Sequence, residues 1–466
     1  MSRQLKKLAL IGASALTGGV LMFSIQTFAA KDAPQALPLQ ELRTFAEVFG
    51  IVKQDYIEPV SDKKLIDLAI KGMVDGLDPH SDYMSPEEFK DLRAKTQGEF
   101  GGLGLVVVPE DGLVKVVAPY EGTPAQKAGI KSGDFIVKID DASVRGMTMN
   151  DALKRMRGKP GTRVTLTLVR KNTARPIVVV LTRAMIHIKS VKSKLLETGY
   201  GYVGIAQFQE NTTLDLARAI EKLYQQNKAP LKGLILDLRD DPGGLLGGAI
   251  GVSAAFLPKG ALVVYTEGRT PDSKMRLTAT LKNYASEDGS NPLAKLPEQA
   301  HQVPLVVLVN NGTASASEIV AGALQDNQRA LIMGTQTFGK GSVQSVLPLA
   351  NKGGLRLTTS RYFTPNGRSI QAKGITPDII VSEGSASEQF SVREANLENH
   401  LTNPNNEDGI KAKPMSITEN APPPSKTKTG RPLKEETGPD PATDYQLNQA
   451  LNTLKIEQLL IKRVEP

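Results

Sequence analysis

Residues 304–325 read PLVVLVNNGTASASEIVAGALQ. Pro304–Val309 is an apolar, largely β-branched run with no polar face, the pattern of a strand covered on both sides. Asn310-Asn311-Gly312-Thr313 is a tight turn, and Ser315 to Asp326 follows at once with helical periodicity. The same alternation recurs on either side. Tyr200–Ala206 reads as a strand, Leu214–Gln226 as an amphipathic helix, Leu231–Leu238 as a second apolar strand and Ala330–Gly334 as a third. Strand and helix in turn make residues 186–385 an α/β core.

Outside that core the character changes. Residues 96–185 hold short β-rich runs (Gly104–Val108, Leu113–Val117, Phe135–Ile139, Val164–Val169, Ile177–Leu181) and one helix at Met149–Arg157, a small, mostly β domain. Residues 31–95 read as an N-terminal helical region. Leu42, Phe45, Phe49, Val52 and Tyr56 form one stripe, and Leu65, Leu68, Ala69 and Met73 a second. Each stripe is either core or a seam between copies. Residues 386–441 are polar, with Pro422, Pro423 and Pro424 in succession, and read as a flexible linker. Residues 442–466 read as a terminal helix with Leu447, Leu451, Leu454 and Ile461 on one face, which must dock on this subunit or another. The expected fold class is therefore multidomain α/β.

The first 30 residues indicate export. Arg3, Lys6 and Lys7 precede an apolar run from Leu8 to Ile25, and Ala29-Ala30 stands before the charged Lys31 and Asp32. This is the order of a secretory signal. The expected location is the periplasm, with inner-membrane association if the signal stays uncleaved.

Composition removes several classes. The chain of 466 residues has no cysteine, which excludes thiol nucleophiles, zinc–thiolate sites and disulfides. Three of its net +8 charges sit at Arg3, Lys6 and Lys7, and no basic stripe with interleaved aromatics is present, so nucleic acid is not an expected partner. No G-x-S-x-G elbow occurs, and His80, His187, His301 and His400 stand away from any nucleophile motif.

The chemistry-bearing pattern lies instead in three loops. Ser315 and Glu318 form an S-x-x-E capping box. Ser315 is therefore either a plain N-cap or a nucleophile at a helix N-terminus, where unpaired N–H groups favour a developing oxyanion. Lys340 sits between Gly339 and Gly341 in FGKGSVQ. A lysine is a general base only when burial or nearby positive charge lowers its pKa. The flanking glycines allow the close packing that would do this, and Gln344 is placed to orient the amine. Asp237–Gly244, DLRDDPGG, closes an apolar strand at the end of an α/β sheet where ligands bind. Its glycine turn could supply an oxyanion donor. Each of these has a bland alternative, and the residues alone leave both open.

Together, NNGTASASEI, FGKGSVQ, DLRDDPGG, GGLRLTTSRYFTPNGRSI, GITPDI and LDPHSDYM (Leu77–Met84) resemble the carboxy-terminal processing, or tail-specific, protease family, from about Leu39 to Val381. The resemblance implies a serine endopeptidase with Ser315 as nucleophile, Lys340 as base, Gln344 as its orienter, and Gly243 or Gly244 with Ala316 as oxyanion donors. It implies no metal and no organic cofactor. Glu99–Val107, EFGGLGLVV, followed by AGIKSGDFIVKIDD (Ala128–Asp141), is similar to a PDZ domain, which takes a peptide terminus as an added strand. On that likeness Leu103, Gly104 and Leu105 cradle the end of the peptide, and Leu153 and Met156 line an apolar pocket or else fill the domain core. The implied partners are proteins with apolar C-termini, an activating adaptor protein and further copies of this chain joined through the terminal helices.

Overall fold

The computed structural model describes residues 37–171, 173, 175–382, 392–405 and 438–464. The signal-like residues 1–30 and the linker residues 406–437 lie outside the described residues. The chain divides into two units between Ile70 and Lys71.

The α/β core is built on a sheet of six strands. Val191–Glu197 pairs antiparallel with Tyr200–Ile205, and Gly233–Asp237, Leu305–Val309, Leu331–Gly334 and Ile379–Ile380 then add in parallel. The continuous apolar strands find both faces covered. Leu234, Leu236, Leu305, Val307 and Val309 join the cluster containing Leu216, Ile220, Ile319 and Val320, from the helices Thr212–Asn227 and Ala316–Asp326. The alternate residues Ile235, Val306 and Leu308 pack with Leu447, Ala450, Leu451 and Leu454 of the helix Tyr445–Val464. The terminal helix thus docks on its own subunit. A Cβ on Gly233 would stand 2.9 Å from Leu454 Cδ1, so glycine there lets helix and sheet approach. Arg239 locks the start of the helix, donating to Asp444 Oδ2 at 2.7 Å and Gln446 Oε1 at 3.0 Å while also gripping Asp237.

A second, antiparallel sheet carries the short strand Asp82–Met84 of the LDPHSDYM run beside Gly354–Phe363, which also pairs with Ser342–Pro348 and Leu262–Gly268. Residues 99–187 form the PDZ-like domain. Leu105–Glu110, Leu113–Pro119, Phe135–Ile139, Arg163–Val169 and Ile177–Thr182 make its sheet, closed over Val116, Ile136, Ala152 and Leu166 by the helix Met149–Met156.

The N-terminal region forms the helices Leu39–Asp55 and Asp62–Asp75. Of the two apolar stripes, Leu42, Phe45, Tyr56, Leu68 and Met73 are exposed, while Phe49, Val52, Leu65 and Ala69 are half-buried. Periodicity marks a face without saying what covers it. In addition, residues 392–405, assigned by composition to a flexible linker, have a definite place, with Glu394 and Asn403 buried. Their polar side chains find polar partners on the α/β core, which composition does not reveal.

Candidate active site

Three loops meet beyond the C-terminal ends of the parallel strands. The turn after Leu305–Val309 carries Ser315, the turn after Gly233–Asp237 carries the glycine pair, and the loop after Leu331–Gly334 carries Lys340. Hydrogen bonds stitch them together. Thr313 Oγ1 donates to the Leu238 carbonyl at 2.8 Å, and Ala314 N–H and Ser317 Oγ both donate to the Asp241 carbonyl, at 2.9 and 3.0 Å. Phe338 N–H donates to the Thr313 carbonyl at 3.0 Å.

Ser315 stands at the N-terminus of the helix Ala316–Asp326 with φ 56° and ψ −114°. That conformation costs a non-glycine residue about 1–3 kcal/mol. An ordinary N-cap has no need of it. Among the described residues no acceptor is found for the Ala316 N–H, the first orphan donor of the helix.

Glu318 explains how the turn is held. Its carboxylate is fully buried and accepts from Ser315 N–H at 2.9 Å, Lys340 N–H at 2.9 Å, Gly339 N–H at 2.8 Å and Thr337 Oγ1 at 2.5 Å. One carboxylate therefore ties the serine turn to the lysine loop. Burial pushes its pKa up to about 7, against these donors. The S-x-x-E motif revealed only the local half of this arrangement.

Lys340 is half-buried, and desolvation lowers its amine to about pKa 8, helped by Arg356 and opposed by Glu394, Glu318 and Asp78. Gly341 is needed for the packing around it, since a Cβ there would fall 2.4 Å from Gln371 N. The hydroxyl of the buried Tyr362 donates to the Lys340 carbonyl and faces the Ser315 side chain, a neighbour that sequence reasoning did not name. Among the described residues no hydrogen bond joins the Lys340 amine to the Ser315 hydroxyl in this conformation.

Two expected roles are not seen here. Among the described residues Gln344 makes no hydrogen bond to the Lys340 amine. At a bulge between Val343 and Gln344, its amide donates instead to Ser342 Oγ at 3.0 Å and Thr358 Oγ1 at 3.2 Å. Gly243 N–H is not free for an oxyanion, because it donates to Asp241 Oδ1 at 2.8 Å. Among the described residues the Gly244 N–H has no acceptor, which leaves Gly244 and Ala316 as the open donors. Gly243 still matters sterically, as its Cβ would lie 2.9 Å from Ser315 Cβ.

In the PDZ-like domain, Leu103 and Met156 belong to the buried core, while Leu105 and Leu153 are half-buried at its edge. Met156 thus packs within the domain core. Gly104 takes φ 77°, and a Cβ there would collide with Thr123 at 2.4 Å, so the loop before the strand requires glycine. Among the described residues no group of three or more His, Asp or Glu side chains is placed to hold a metal ion.

The sequence matches the family model of peptidase family S41 over residues 199–381, that of a PDZ domain over 115–170, and that of the N-terminal domain of the activating protease CtpB over 17–88. A carboxy-terminal-processing protease of Bartonella bacilliformis is 48% identical over 347 residues, 74% of this chain and 76% of the relative. The carboxy-terminal processing protease CtpA of Bacillus subtilis is 37% identical over 330 residues, 70% of this chain and 66% of the relative. A carboxyl-terminal-processing protease of Synechocystis is 36% identical over 341 residues, 72% and 75% of the two chains.

Proposed function

Because this chain belongs to the carboxy-terminal-processing proteases of peptidase family S41, we propose that it cleaves protein substrates near their C-termini with Ser315 as nucleophile and Lys340 as base. It is a serine-type peptidase carrying a PDZ domain. The observation that carries the assignment of roles is the buried Glu318 carboxylate, which links the backbone of Ser315 to that of Lys340.

The unprotonated Lys340 amine takes the proton of Ser315 Oγ as the oxygen attacks the substrate carbonyl. The resulting oxyanion lies between the N–H groups of Gly244 and Ala316, at a helix N-terminus where negative charge is favoured. Lys340 returns its proton to the departing amine, leaving an acyl-enzyme. Water then attacks, Lys340 accepts its proton and passes it to Ser315 Oγ as the acid leaves, which restores the hydroxyl and the free amine. In this conformation no hydrogen bond joins the amine to the hydroxyl, and the reaction requires the two to approach. Gln344 would have to leave Ser342 and Thr358 to take part in that step.

The PDZ domain supplies the substrate end. An extended C-terminus adds to the strand Leu105–Glu110, with its carboxylate at the Leu103–Leu105 loop and its last apolar side chain against Leu105 and Leu153. We place the protein in the periplasm, exported by residues 1–30, acting on envelope proteins and working as an oligomer with an activating adaptor.

The test uses an unstructured protein ending in apolar residues as substrate for the purified full chain. Ser315→Ala and Lys340→Ala should each lower kcat/KM by about 10³ or more. Cleavage that survives either substitution removes the dyad.

A further inference from the structure

The segment that composition reads as linker brings a buried carboxylate to the lysine loop. Glu394 opens a short 3₁₀ turn, Glu394–Asn396, and its side chain is fully buried. His80 Nε2 lies 2.8 Å from Oε2 and 3.0 Å from Oε1, and Gln371 Nε2 donates to Oε1 at 2.9 Å. Gln371 is buried in turn and accepts the Gly341 N–H on its Oε1 at 2.9 Å. The Glu394 N–H donates to the Phe338 carbonyl at 3.2 Å. The loop is therefore gripped on both sides of Lys340, at Phe338 and at Gly341. Asn403 completes the attachment by donating to the Gln371 carbonyl at 2.8 Å.

A buried carboxylate is unfavourable unless it is paired and hydrogen-bonded, as Glu394 is by His80 and Gln371. Glu394 makes no ion pair with Lys340 among the described residues, yet of the surrounding carboxylates it acts most strongly on the amine. A direct salt bridge would hold Lys340 protonated and useless as a base. No nearby carboxylate at all would leave desolvation and Arg356 to drive the charge off it.

We propose that Glu394 is a positioning residue for the reaction: fixed by His80, Gln371 and the Phe338 carbonyl, it holds the lysine loop with a buried negative charge beside it. The other charged groups acting on Lys340 are Arg356, which disfavours the ammonium, and Glu318 and Asp78, which favour it. Arg393, next in the chain, turns its guanidinium to the Lys373 carbonyl. The inference rests on Lys340 being the base.

The experiment measures, on the full chain, the rate at which a fluorophosphonate labels Ser315 as a function of pH. This readout needs neither substrate capture nor adaptor. Wild type should gain reactivity through a midpoint of about 8. Glu394→Gln, having lost the charge, should move that midpoint down by about one pH unit. Glu394→Asp keeps the charge, withdraws it by one methylene and should fall between. It serves as the variant to read if Glu394→Gln does not fold. Arg356→Gln should move the midpoint upward. Wild-type midpoints in the Glu394 variants overturn the proposal, since a merely structural role would change the amplitude and leave the midpoint. A pH limb that persists unaltered in Lys340→Ala sinks the base assignment instead, so the two failures are distinguishable.

Discussion

Glu318 carries four donors on one carboxylate, and its replacement is informative because the isosteric amide keeps the shape. In Glu318→Gln an NH₂ must face backbone N–H groups of Ser315, Gly339 or Lys340, leaving donors opposed. The expected cost is about 2–3 kcal/mol of stability. A loss of cleavage larger than that of a distant substitution of equal cost is expected as well. Matched unfolding and kinetic measurements on the variant check both, and wild-type kinetics would show that Glu318 is only a cap. Asp241 makes a different prediction. Its carboxyl is buried, with Oδ1 taken by Gly243 N–H and Oδ2 unpartnered among the described residues. Burial raises its pKa from 3.8 to about 7. Between those values the folded protein binds more protons than the unfolded chain, so this group makes stability fall as pH rises from about 4 to about 7 and then level off. Asp241→Asn removes that dependence. Thermal unfolding of both proteins across this range should show the wild type losing ground to the variant with rising pH. A difference independent of pH would contradict it.

At the scale of elements, the strand Leu305–Val309 shows why the apolar runs have no polar side: alternate residues serve two different clusters. The helix Tyr445–Val464 closes the second of these, so it belongs to the folding unit of the sheet. Leu451, almost fully buried between sheet and helix, is its central contact. Leu451→Ala should cost about 2–5 kcal/mol. Chemical denaturation reads the loss directly, and a change near zero would mean that the helix is not docked in solution. Elsewhere, element existence was legible where the pattern was long and periodic. The strand Gly354–Phe363 is not legible as a strand from its own pattern, and its place in the sheet depends on the distant Asp82–Met84 as well as on the neighbouring Ser342–Pro348.

At the scale of the whole molecule, the apolar residues of the N-terminal helix Leu39–Asp55 bear on self-association. Leu42, Phe45, Val48 and Ile51 of the helix Leu39–Asp55 are all exposed in the single chain. We expect them to meet further copies of this chain. Sedimentation velocity should find an oligomer that Phe45→Glu dissociates, and an unchanged monomer in both would refute this. The α/β alternation, the β-rich middle domain and the terminal helix could be read from the chain, because they depend on side-chain period and turn chemistry, whereas Ser315, Lys340 and the Gly243-Gly244 pair stood out only through the resemblance of their motifs to a family. Tertiary structure alone decided that Gly243 spends its N–H on Asp241, that Gln344 turns to Ser342 and Thr358, that Met156 is core, and that Glu394 comes to the lysine loop from across the chain. Whether a side chain closes on its own turn, as Asp241 does on Gly243, or meets a residue far along the chain, as Glu394 does, depends on where the surrounding elements place donor and acceptor, and side-chain period does not encode that.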